Sequence, residues 1–381
     1  MHGAHVMSLR APVRRCLAYG FVLVATIALT ARTGVSQSAV AVDGSNVTWS
    51  LDPRSAKVDQ YLGRRAIFLR GQSPPAFANL DFVDGTIEFD IAPMPGGNFA
   101  GLVFRYANPS EHENVYLRLH KSGSFDAMQY APRIFTTAGI WQLTREFMSP
   151  VTYRADQWLH VRAEVSGSRL EIFVGDSAKP TVVVPRMRGV TSAGRIGFWG
   201  RVNEKPDEWT AALSNVVITP RAARPVATAA DTTDLPSGTL TGWVAAGPYE
   251  APDSATAPPF PAPNAWKPLP LEEHGLLNIS RHFRKPAGGR HVVFLRNRVS
   301  VANRTTLPFD ISYSDDAMLW LNGQLVYHGS NGFNSRYPGN LGLTGAAVET
   351  VYLPLQAGAN ELVLAIGERA FGWGLRARLI R

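Results

Sequence analysis

The chain has 381 residues, 45% hydrophobic and 18% charged, which is enough for two domains that each bury a core. Its formal charge of +8 includes Arg10, Arg14, Arg15 and Arg32; beyond residue 39, 34 basic residues face 30 acidic ones, a net +4. That balance is too mild and too scattered to argue for nucleic acid, and 34 glycines, 27 prolines and 38 aromatic residues predict an all-β chain of short strands and many turns.

Residues 1–39 read as a signal peptide. Three arginines precede the fifteen-residue apolar run Cys16–Thr30, which is short for a membrane span, and small residues follow at 36–39. Cleavage is expected near Ser38 or Ala39, giving a secreted or periplasmic protein with no membrane segment; an uncleaved anchor is the alternative. The single cysteine, Cys16, lies in this segment. The mature chain therefore has no disulfide, thiol nucleophile or cysteine metal ligand.

Residues 43–219 alternate with the period of half-buried strands. Ile87, Phe89 and Ile91 share one face while Glu88 and Asp90 take the other. Val115, Leu117 and Leu119 point inward, leaving Tyr116, Arg118 and His120 outward. Residues 159–165 and 170–174 pair across the turn at 166–169. Residues 220–239, rich in Ala, Thr and Pro, read as a linker.

Strand patterns resume at 240–244, are interrupted by a proline-rich loop at 251–270, and continue to the C-terminus. No amphipathic helix is evident. In Ser314–Tyr327, Asn322-Gly323 suits a type I′ hairpin turn. That turn sets Trp320 opposite Leu325, Leu319 opposite Val326 and Met318 opposite Tyr327. Both faces of the hairpin are apolar, so Trp320 reads as a packing residue. Asp315 and Asp316 suit a turn, with calcium as the other use of paired carboxylates. Arg336 and the loop 331–336 accompany them as a secondary candidate site.

The segments Asp84–Ile91, Gly101–Arg105, Glu113–Pro132, Trp141–Leu143, Trp158–Arg162, Gly194–Gly200 and Leu213–Ile218 together resemble the bacterial laminin-G-like or concanavalin A-like domains. The resemblance spans 43–219. It implies a jelly-roll sandwich with a concave face, a fold shared by lectins, some glycanases and the 3-keto-disaccharide hydrolase group. Residues 240–381, with Gly242–Pro248, Asn278–Arg281, Ser314–Gly323, Leu353–Glu361 and Gly372–Gly374, resemble the galactose-binding-type jelly rolls attached to glycosidases. The predicted fold is thus all-β, two jelly-roll β-sandwiches joined by a linker.

Retaining glucanases of this fold carry two catalytic carboxylates on one strand, about 5 Å apart. Here Glu88 and Asp90 match the motif, but Ala92 or Pro93 stands at the position of the acid/base. There is no His-Glu-x-x-His run, phosphate loop, dinucleotide fingerprint or Gly-x-Ser-x-Gly elbow. The resemblance instead gathers Arg105, Tyr116, Arg118, Gln129, Tyr130 and Trp141 on one face, where arginine and glutamine can hydrogen-bond hydroxyls and aromatic rings can stack on sugars. For Tyr116 and Arg118, alternation alone places both outward.

The leading expectation is an exported, non-catalytic protein that binds an oligo- or polysaccharide on that face, with no cofactor, no nucleic-acid partner and no membrane contact after cleavage. Two other readings stay open. A hydrolase or lyase of the 3-keto-disaccharide type needs a base such as His120 or Glu88 near the face. A structural or protein-interaction module predicts the face covered by the second domain or the proline-rich loop.

Overall fold

The computed structural model describes residues 40–71, 75–136, 138–251, 260–345 and 348–381. Residues 1–39, the segment expected to be a signal peptide, and residues 252–259 of the proline-rich loop lie outside them. Four antiparallel sheets form two β-sandwiches, the all-β architecture the alternation predicts. Ser38–Arg381 make one compact unit. No helix among the described residues is long and apolar enough to cross a membrane.

The first sandwich has an eight-stranded front sheet and a seven-stranded back sheet. The centre of the front sheet runs Gly194–Arg201, Phe99–Asn108, Glu111–Arg118, Met128–Tyr130; the centre of the back sheet runs Leu159–Ser166, Asp84–Pro93, Ala211–Arg221. Period-two alternation sends Ile87, Phe89 and Ile91 from the back and Leu102, Phe104, Val115, Leu117 and Phe198 from the front into one core. Each such side chain contributes about 1.5–3 kcal/mol when fully buried. The strand expected to run through His120 ends at Arg118, and Leu119–Lys121 form a 3₁₀ turn. His120 is therefore off the strand face.

The second sandwich pairs a six-stranded sheet, with His291–Val301, Gly358–Gly367 and Asp316–Leu321 at its middle, with a four-stranded one built around Gly374–Leu379 and Thr305–Ser314. The strand pattern at 240–244 gives little pairing of its own; the strand begins at Val244, after Gly242 turns the chain at positive φ.

The hairpin keeps its Asn-Gly turn, with Asn322 and Gly323 both at positive φ. Trp320 faces Leu325 as expected, but the register then shifts: Leu319 faces Tyr327 and Met318 faces His328. This bulge corrects the predicted pairing. It turns Tyr327 away from Trp320 and toward the core, where its hydroxyl lies 2.5 Å from that of Tyr313. Trp320 is buried, yet outside the main core. It sits on the outer face of its sheet beneath Phe260, with Phe294, Met318 and Leu325 around it.

Candidate functional site

A cleft of about 430 Å³ opens on the outer face of the front sheet, within the size range of small-ligand sites. Strand register builds its floor in rows. One row across the sheet is Trp199, Gly101, Tyr116, Gln129; the next is Arg201, Phe99, Arg118. Gly101 is required there, because a Cβ would come within 2.5 Å of the Trp199 indole lying over it. Trp199 is fixed in place by its N–H, which donates to Asn114 Oδ1 at 3.0 Å. The Tyr116 hydroxyl donates to Gln129 Oε1 at 2.6 Å, and the Gln129 amide donates to the Asp126 carbonyl at 3.1 Å. Arg118 pairs with Asp126.

Tyr116, Arg118, Gln129 and Trp141 of the predicted face all line this cleft. Two residues do not. Arg105 is fully buried. The strand bulges between Phe104 and Asn108 and Arg105 adopts a positive φ, which breaks the alternation and swings its side chain inward. Its guanidinium then donates to Asp84 Oδ1 at 2.8 Å and to the Gly167 carbonyl at 2.7 Å. Tyr130 follows Gln129 on one strand, so it must face the other way; its hydroxyl donates to Glu113 Oε2 at 2.8 Å inside the core. Burial pushes the Glu113 carboxyl up to about 7.

Of the bases named for a hydrolytic reading, Glu88 lies away from the cleft, while His120 packs edge-on against the floor residue Phe99 at 4.9 Å. Glu88 pairs across the back sheet with Arg162, on the far side of the core from the cleft. Asp90 is held by Arg64 at 2.5 Å, His160 at 2.8 Å and Asn215 at 2.6 Å. His120 keeps its Nδ1 against the Asn98 carbonyl, and burial lowers its basicity. Among the described residues lining the cleft, none carries a carboxylate, imidazole or thiol.

The secondary candidates are also taken up structurally. Asp315 is buried and accepts the backbone N–H groups of Arg369 and Ala370 at 2.6 and 3.0 Å. Asp316 forms a two-pronged pair with Arg369, at 2.8 and 3.1 Å. Arg336 reaches Glu349 at 2.7 Å and the Ser330 carbonyl at 2.9 Å. No cluster of three or more metal-ligating side chains occurs among the described residues.

One wall of the cleft comes from the second sandwich, through Phe333, Leu341 and Phe371. Trp141 meets Phe371 at 5.0 Å and Phe333 at 5.9 Å. The contact is made by the 3₁₀ turn Trp141–Leu143, which inserts into the second sandwich. Gln142 is fully buried: its amide nitrogen donates to the Leu341 carbonyl at 3.0 Å, its Oε1 accepts from Ser314 at 2.5 Å, and its backbone carbonyl accepts from Thr344 N–H at 2.8 Å. Leu143 packs with Ile134, Ile140 and Leu276. Sequence alternation also points Asn114, Trp199 and Arg201 outward beside the residues first identified. Phe371 lies in a loop and carries no periodic signal, and Phe333 sits within the 331–336 loop without any pattern aiming it at the first sandwich.

Behind the cleft, a buried cluster of charges joins the sandwiches. Glu146, Arg186 and Arg188 come from the first; Glu272, Glu273, Arg281 and Arg376 come from the second. Burial alone would raise the Glu146 carboxyl, but Arg188 and Arg376 beside it outweigh that and hold it at about 2. Its ordinary value is 4.5. Because the folded value is the lower one, this stabilisation is complete above pH 4.5 and is lost as pH falls toward 2. The urea midpoint should accordingly fall between pH 5 and pH 3, with a shallower dependence in Glu146→Gln; equal slopes in the two proteins would refute the assignment.

No family model matches the sequence, and no curated protein matches it. Solved structures similar to the chain include a carbohydrate-binding module from Bacillus subtilis, with 19% identity over 46% of this chain and 98% of the module and a TM-score of 0.31. A β-glucanase from Bacillus licheniformis matches at 12% identity over 48% of this chain and 98% of its own, with a TM-score of 0.30. A xylan β-1,4-xylosidase from Bacillus halodurans matches at 12% over 44% and 34%, with a TM-score of 0.32. Scores this low assign neither a ligand nor a reaction.

Proposed function

We propose that the protein is an exported saccharide-binding protein that holds its ligand in the cleft between the front sheet and the second sandwich, without cleaving it. The observation that carries this reading is the composition of the cleft. Aromatic surface from Phe99, Tyr116, Trp141, Phe333 and Phe371 is interspersed with the amide of Asn203 and the guanidinium groups of Arg118 and Arg201, while the buried Gln129 holds the Tyr116 hydroxyl in place. Sugar rings present apolar C–H faces and hydroxyl edges, which such a surface meets together. Glycosidic hydrolysis with two carboxylates would need a proton donor and a second carboxylate in reach, and the described lining supplies neither. Among the described residues, the second sandwich walls one side of the cleft through Phe333, Leu341 and Phe371 and does not close it.

Gel electrophoresis through a panel of soluble polysaccharides tests this. At least one polymer should retard the protein, and Trp141→Ala should weaken that binding about tenfold or more. Because Trp141 also packs against Phe333 and Phe371, its effect is paired with Asn203→Ala at the rim, which removes one polar contact without touching that packing. Retardation unaltered in both variants would place the ligand elsewhere.

A further inference from the structure

We propose that the saccharide taken by this cleft is acidic, its anionic groups paired with Arg201 and Arg133; this rests on the saccharide reading above. Three guanidinium groups line the cleft, from Arg118, Arg133 and Arg201, against no carboxylate among the described lining residues. Arg118 is already neutralised by Asp126 behind it. No carboxylate among the described residues forms an ion pair with Arg133 or Arg201, though the described chain contains many other arginine pairs. Two positive charges are thus left facing the ligand space.

Their placement follows from the register. Arg201 and Arg118 flank Phe99 in one row. Arg133 stands beside His112, six positions back along the strand from Arg118, or about 20 Å away at the rise of an extended strand. Cations therefore stand at both ends of an aromatic floor. Arg133 is also incompletely satisfied. One of its groups donates to the Pro109 carbonyl at 2.9 Å, while its Nε–H is buried without a partner among the described residues. Burial penalises its charged form, and a carboxylate or a sulfate in the cleft would supply the missing countercharge to the guanidinium that lines it.

Matched polymers decide the matter. Polygalacturonate is compared with its carboxyl-reduced form, and dextran sulfate with dextran, so that carboxylate and sulfate are read separately on constant backbones. At least one anionic member should bind ten times more tightly than its neutral counterpart. Arg133→Gln and Arg201→Gln should each weaken that binding about tenfold, while Arg298→Gln, an exposed side chain on a central strand of the second sandwich, should not. Equal binding of neutral and anionic members would overturn the charge inference and leave the saccharide reading standing. Binding of polyanions that survives the double replacement of Arg133 and Arg201 would mark general attraction to a basic protein and overturn it too. Retention by no polymer of either kind would overturn both.

Discussion

Arg188→Ala should cost about 3–5 kcal/mol of folding stability, read as a drop in the urea midpoint. The Arg188 side chain is wholly buried, and its guanidinium touches both sandwiches. Nη2 donates to Glu146 at 2.7 Å and Nη1 to the Leu143 carbonyl at 2.8 Å, both in the first. Nε lies 3.1 Å from Glu272 of the second, though off the hydrogen-bond line, so this contact acts as charge more than as a directed bond. Its face also covers the Phe147 ring at 5.0 Å. Truncation leaves Glu272 dependent on Arg281 and Arg186, and Glu146 dependent on Arg376. A buried ion pair adds little beyond a well-packed apolar replacement, but half of one is expensive, because the orphaned charge stays out of water. A loss under 1 kcal/mol would show that the cluster is hydrated and that the sandwiches do not depend on it.

Most of the architecture is legible in the sequence because a strand with one buried face must alternate. Val115, Leu117, Ile87 and Phe89 announce their side of the sheet, and Tyr116 and Arg118 announce theirs. The failures share a physical origin. Arg105 sits at a bulge, where one extra residue and a positive φ reverse the alternation; nothing in Leu-Val-Phe-Arg shows it. The hairpin bulge near Val326 is equally silent and moves Tyr327 to the opposite face. Tyr130 is different, since its neighbour Gln129 cannot share its face on a regular strand, so the alternation already excluded that pair. The cleft's second wall could not be read at all. Phe371 and Phe333 meet Trp141 only because two sandwiches dock, and docking depends on shape and polar matching between surfaces far apart in sequence.

At the cleft edge that matching runs through Gln142, so Gln142→Leu should loosen the sandwiches there. The substitution keeps the volume and removes every side-chain hydrogen bond. The buried Ser314 hydroxyl and the part-buried Leu341 carbonyl at the cleft wall then lose their partner. Ser314 retains only a 3.3 Å contact to Asp315. Each buried polar group left unpaired costs about 1–3 kcal/mol, so a total near 2–4 kcal/mol is expected. The space is closed to adjustment from the other side as well. A Cβ at Gly342 would lie 2.2 Å from the Gln142 amide and 2.5 Å from the Asn331 carbonyl, and Gly342 itself has a positive φ. Gly342→Val should therefore reproduce the loss while leaving Gln142 in the sequence. Because Trp141 precedes Gln142 and forms the cleft wall with Phe333 and Phe371, ligand affinity should fall in both variants. The Arg188→Ala protein tests whether that fall has a cause beyond weakened docking. If lost stability alone governs binding, the three variants will rank by urea midpoint. If the turn positions Trp141, Gln142→Leu and Gly342→Val will lose more affinity than Arg188→Ala at equal or smaller cost in stability. Unchanged affinity in both turn variants would remove the second sandwich from the binding site.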